Sequence, residues 1–229
     1  MKKKMLIFFM ALFFIVLFIC LFLWGYEYHS QKKQVVAAYS LSLNEKNRLK
    51  DGDILLRHGY GFVSDMIVKT LNDSTGISHC AILSKENNKW IVIHSVSSTL
   101  SAVDGIQSQN LDEFVNQSKK NSFVVIRYKR LNDSDRCKIG TRAQYYLQKK
   151  IPFDNAFNIH DTASFYCSEL IWKIFKDEFQ IDIFDSKLSS AKYDYLKFDI
   201  FLDTTNYQIV IDHRIKRSEE RRVGKECRS

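Results

Sequence analysis

Residues 5–24 are apolar and carry no charge. As a helix rising about 1.5 Å per residue they would cover about 30 Å, the hydrocarbon thickness of a bilayer. A polar stretch follows, residues 26–50, which reads as a stalk or short helix. Apolar patterning resumes at GDILLR (52–57), a short strand, and Phe62, Val63, Met66, Ile67 and Leu71 then recur at helical spacing up to the breaker at 72–74. Two apolar, β-rich runs, 79–83 and 90–96, flank the polar segment SKENNK and predict a hairpin turning near Asn87. Asn110 is placed to cap a short helix carrying Leu111, Phe114 and Val115, and residues 123–128 form a strand. Asp133 or Ser134 opens a helix to about residue 148. A second helix over 167–179 turns Leu170, Ile171, Ile174 and Phe175 inward, and residues 207–211 close the pattern as a strand. Strands in succession without regular βαβ alternation predict an α+β domain with a mostly antiparallel sheet.

The flanks change the picture. Gly25-Tyr26-Glu27-Tyr28 offers no small-x-small cleavage site, so the apolar stretch reads as a signal-anchor rather than a cleaved signal peptide. Lipidation at Cys20 after cleavage is disfavoured by Ile19, which stands where a small residue is expected. Lys2, Lys3 and Lys4 precede the span and Lys32 and Lys33 follow it, a bias that predicts a cytoplasmic N-terminus and a domain in the periplasm or outside the cell. The tail, RSEERRVGKECRS, has no apolar periodicity and matches the translation of a sequencing adaptor. It is read as an artefact and left out, Cys227 included. The expected organisation is thus lysines and anchor over 1–25, a stalk over 26–50, a catalytic domain over 51–216 and the tail over 217–229. Of the formal charge of +8, the three leading lysines and the tail account for all but about +3, which argues against nucleic acid as a partner.

Candidate chemistry sits in two places. Cys167 stands where a helix begins, so first-turn N–H groups and the helix dipole can stabilise a thiolate and later an oxyanion. His79 and His94 fall on the two arms of the predicted hairpin, close enough for a base and its orienting partner. His79 would take the thiol proton, and His94 would fix its tautomer and favour its charged form. Cys80 follows His79 directly, points to the opposite face of the strand and reads as core. Cys80, Cys137 and Cys167 are an odd number in the exported domain, so one thiol lacks an internal partner. A zinc reading of His79, His94, Cys167 and Cys80 finds no C-x-x-C or H-x-x-x-H spacing to support it, and neither metal nor cofactor is expected. His58, His160 and His213 read as surface or loop residues, with Arg57 and His58 kept as candidate cleft-lining groups.

Taken in order, DGDILLR (51–57), ISHCAIL (77–83), WIVIH (90–94), LDEF (111–114) with VVIR (124–127), PFD (152–154) and YCSEL (166–170) resemble the YiiX-type permuted papain-like cysteine hydrolases, relatives of the NlpC-type peptidoglycan amidases. The resemblance runs from about residue 51 to about 179. It implies a circularly permuted papain-like (NlpC-like) domain in which the histidine strands precede the cysteine helix. It also implies Cys167 as nucleophile, His79 as base and His94 as third polar residue, with Tyr166 and Phe153 beside the cleft. Phe153 replaces a tyrosine that assists the oxyanion in NlpC-type enzymes, leaving the N–H of Cys167 as the oxyanion donor. Lecithin:retinol acyltransferase-like proteins share the permuted order, but their cysteine lies in an Asn-Cys-Glu-His setting that Tyr166-Cys167-Ser168-Glu169 does not match.

The function expected from these readings is a membrane-anchored, exported cysteine hydrolase cleaving an amide bond in a cell-wall peptide. Its partners would be a peptide or acyl-amide substrate, from peptidoglycan or lipid, and the membrane through the N-terminal helix. The rivals are a lipid acyl hydrolase or acyltransferase working through a thioester, and a binding protein of the same fold whose thiol site is inactive.

Overall fold

A computed structural model describes residues 2–37, 39–71, 75–184 and 197–214. The breaker at 72–74 and the tail at 217–229 lie outside the described residues. The apolar N-terminal stretch begins one long helix, α1 (Lys2–Ala37), of which Lys4–Ser30 is long and apolar enough to cross a membrane. The polar segment after it contains α2 (Leu43–Lys46). Ser42 caps this helix by accepting the N–H of Glu45, whose carboxylate takes the N–H of Ser42 in return. Leu41 and Leu49 on either side of α2 are buried, so this segment is packed onto the domain.

β1 (Ile54–Arg57), β2 (His79–Glu86), β3 (Lys89–Val96), β4 (Gly105–Asn110), β5 (Val124–Tyr128) and β6 (Tyr207–Asp212) form one antiparallel sheet in the order β4-β3-β2-β1-β5-β6. The hairpin joining β2 to β3 turns at Asn87 and Asn88. Both lie at positive φ, as a two-residue hairpin requires and asparagine tolerates. α3 (Phe62–Leu71) follows β1, α4 (Leu111–Asn116) is capped by Asn110 as its sequence predicts, and α5 (Asp133–Lys149) is capped by Asn132. α6 (Cys167–Phe179) follows, and a short 3-10 helix, Asp199–Leu202, precedes β6. β4 and the 3-10 helix were not predicted: GIQSQN is polar and only its first two residues are buried, so β4 shows little of the apolar signal that marks a strand.

Strand alternation divides the core between two faces. Ile54, Leu56, Cys80, Ile82 and Ile93 face α5 and α6 and pack with Leu170, Ile171, Ile174 and Phe175. Leu55, Ala81, Leu83, Val92 and Val125 face Phe114 of α4 together with Leu41 and Leu49. A buried ion pair ties two strands: Asp53, just before β1, accepts Nε of Arg127 at 2.7 Å and its Nη2 at 2.8 Å, and also the N–H of Lys50.

A candidate cysteine–histidine active site

The site assembles at the start of β2 and the start of α6. In the register of the sheet, Arg57 at the end of β1 pairs with His79, the first residue of β2. His94 lies on neighbouring β3, and Nε2 of His79 and Nδ1 of His94 stand 2.8 Å apart. The hairpin expectation is thus met at hydrogen-bond distance, and it leaves Nδ1 as the His79 edge available to a thiol. Both imidazoles lean on the Phe114 ring, with centroids 6.0 and 5.6 Å away, and the Arg57 guanidinium lies 3.9 Å above the same ring. Arg57 is anchored there by donating to the carbonyl of Phe114 at 2.8 Å.

This setting acts against imidazolium. Burial, then the charges of His94 and Arg57, hold His79 well below the ordinary histidine range. Burial and the Arg57 charge push His94 down to about 3. The pair is therefore neutral at pH 7, and His94 does not favour a charged His79 through its own charge, as the sequence reading expected. His94 remains suited to fixing the tautomer: as acceptor at Nδ1 it keeps the His79 proton on Nε2 and frees Nδ1 to receive another.

Cys167 is the first residue of α6, as its sequence predicts. Its thiol is held below the ordinary cysteine value, first by the hydrogen bond that Cys80 donates, then by the backbone N–H groups of Cys80, Ser168 and Cys167 itself, against the opposing effect of burial. Cys80 is fully buried in the α6-facing core as expected, and burial keeps its own thiol protonated and able to donate. The sequence gives no hint of this second role. The thiol and the imidazoles thus approach β2 from its two faces, the sulfur at Cys80 and the rings at His79, so the direct contact expected between the Cys167 thiol and its base is not made: no hydrogen bond joins Cys167 to His79 in this structure, because adjacent strand residues point to opposite faces.

Of the other candidate lining groups, Tyr166 is the N-cap residue of α6, and its ring lies 5.3 Å from Phe157, which meets Phe153 at 6.0 Å. These rings form an aromatic wall next to the helix start, with Phe157 exposed. His58 is bound to Asp65 on α3 at 2.8 Å and to Lys119, and His213 is bound to Glu45 and Tyr39, so neither is the unpartnered surface residue that its sequence context suggests.

Sequence reasoning also passed over Glu169. Its side chain is buried, Oε2 accepts the N–H of Tyr166, Oε1 has no hydrogen-bond partner among the described residues, and burial raises its pKa to about 8. Its place three residues into α6, where a carboxylate answers the helix N-terminus, is the signal that marks it. Among the described residues, no three His, Cys, Asp or Glu side chains gather in a way that could hold a metal ion.

The histidine strands preceding the cysteine helix, on one antiparallel sheet, are the permuted papain-like order. The family described as permuted papain-like amidase enzyme, YaeF/YiiX, C92 family, matches residues 48–197. The chain belongs to this family of cysteine peptidases and amidases. A crystal structure described as the metalloprotein yiiX from Escherichia coli O157:H7 has the same fold at 20% sequence identity and a TM-score of 0.56, over 72% of this chain and 98% of that one. No curated protein matches the chain in sequence.

Proposed function

We propose that this chain is a membrane-anchored, exported amidase that cleaves a peptide bond of the cell wall, with Cys167 as nucleophile and His79 as general base and acid. The observation that carries the reading is the start of α6: a thiol whose anion is met by three backbone N–H groups and one S–H donor, one strand residue from a neutral histidine pair. The Cys167 thiol gives its proton to Nδ1 of His79 as the thiolate attacks the substrate carbonyl carbon. The oxyanion is taken by the N–H of Cys167. The C–N bond then breaks, the leaving amine receives the proton from His79, and a thioester remains on the sulfur. Water, deprotonated by His79, hydrolyses the thioester and restores the thiol. The first transfer requires the Cys167 sulfur and Nδ1 of His79, which lie on opposite faces of β2 at its first two residues, to come within hydrogen-bond distance.

The apolar segment of α1 supports anchoring, and the lysines before it support export of the domain. A lipid acyl-amide substrate is the second reading, favoured by the aromatic wall of Phe153, Phe157 and Tyr166. The test is digestion of purified muropeptides and of N-acyl lipids by the full chain and by Cys167→Ala. Release of a new amine from muropeptides that is lost in Cys167→Ala supports the first reading. Release from N-acyl lipids alone transfers it to the second, and no turnover of either substrate overturns the amidase reading.

A further inference from the structure

α3 is amphipathic, but only part of its apolar surface is used. Ile67 and Leu71 pack against the core, whereas Phe62, Val63 and Met66 are 37%, 40% and 39% exposed, and Lys69 continues the same exposed stripe. That pattern leaves an apolar helix face in need of a cover.

The contacts of α1 indicate what covers it. Tyr26 of α1 hydrogen-bonds Asp65 and sets its ring against Phe62 at a centroid distance of 5.9 Å. Glu27 accepts the N–H of Phe62, and Ser30 accepts the N–H of Gly61 at 2.7 Å. Gly61 stands at φ +97, a backbone conformation that favours glycine at this turn beside Glu27. These contacts fall within two turns of Trp24, where the apolar span ends. With about 30 Å of hydrocarbon accounted for by residues 5–24, Glu27 lies roughly 5 Å further on, inside the headgroup layer that brings a bilayer to 40–45 Å in all. Trp24, Tyr26 and Tyr28 at this level are the residue types that favour the interface. Asp65 also binds His58 and Lys119, so α3 is tied to the residue after Arg57, the strand partner of His79.

From this we infer that the Phe62, Val63 and Met66 stripe of α3 is a membrane-contact surface, seated in the interfacial zone of a phospholipid bilayer beside the emerging α1 and holding the His79 end of the sheet over the membrane. The inference rests on the membrane-anchored reading above. It assigns Lys69 to anionic headgroups and restricts the enzyme to amide substrates presented close to the membrane.

The test places p-benzoylphenylalanine singly at Phe14, Val63, Met66 or the exposed Tyr145 of α5 in the full chain, reconstituted in phosphatidylethanolamine–phosphatidylglycerol vesicles, and identifies photoadducts by mass spectrometry. Lipid adducts at positions 14, 63 and 66 and none at 145 are expected. Val63→Asp combined with Met66→Asp should abolish lipid adducts from a probe at Phe62 while iodoacetamide labelling of Cys167 proceeds at the wild-type rate. Lipid adducts at 14 without any at 63 or 66 would overturn the inference and leave the anchor standing, and so would adducts to a second protein chain at 63 and 66. Absence of lipid adducts at 14 would remove the anchored reading and this inference with it.

Discussion

Cys80 and Glu169 are two buried titratable side chains beside the start of α6. Because the Cys80 thiol is the largest support for the Cys167 anion, Cys80→Ala should move the pH midpoint of Cys167 alkylation upward, and Cys80→Ser should largely restore it. Iodoacetamide labelling followed against pH reads this directly, and an unchanged midpoint in Cys80→Ala would contradict it. His79→Ala should leave that midpoint nearly in place, since His79 is neutral in the resting site, yet lower amide hydrolysis by about 10²–10⁴-fold through loss of proton transfer. Glu169 titrates at about 8 in the folded chain against an ordinary 4.5. A carboxyl raised in this way contributes stability that is full below pH 4.5 and is lost as pH climbs to about 8. His94, lowered from 6.5 to about 3, acts in the opposite sense: its contribution is full above pH 6.5 and is lost as pH falls toward 3. Glu169→Gln should therefore flatten the alkaline side of a stability–pH curve, and His94→Gln the acid side, each measured by chemical denaturation at fixed salt. The helix-start place of Cys167 and the pairing of His79 with His94 were legible because both are local patterns, whereas the separation of thiol and rings onto opposite faces of β2 was not. The contact of Cys80 with Cys167 is not local: it depends on how α6 lies across the sheet, and no spacing along the chain encodes that.

Among the elements, β1 and β5 are held by the Asp53–Arg127 pair as well as by their ladder. Removing the arginine alone leaves a buried carboxylate without its counter-charge, so Arg127→Ala should cost about 3–5 kcal/mol in urea denaturation. A loss under 1 kcal/mol would show that water reaches Asp53 and takes the arginine's place. The elements legible in the sequence are those whose apolar residues keep one period, such as α6 with its inward Leu170, Ile171, Ile174 and Phe175. β4 escaped because its strand conformation is imposed by pairing with β3 rather than by its own residues. α3 was legible as a helix, but the spacing of Phe62, Val63 and Met66 could not say that this half of its apolar surface stays open.

At the scale of the whole molecule, a helix long and apolar enough to cross a membrane, a joint at α3 and a candidate thiol site follow one another within a short path: α1 to Asp65, Asp65 to His58, and β1 to His79. The lysine bias predicts that this assembly lies outside the cytoplasm. An alkaline phosphatase fusion after residue 214 should be active and a green fluorescent protein fusion there dark; the reverse result would place the domain inside the cell. The central claim is that Cys167 forms a thioester with the acyl half of a wall-peptide amide. Acid-quenched mixtures of the full chain with muropeptides, digested and mapped by mass spectrometry, test it most directly. An acyl mass is expected on the peptide containing Cys167 and absent from Cys167→Ala. Hydrolysis with the adduct on Cys80 or Cys137, or undiminished turnover by Cys167→Ala, would contradict it.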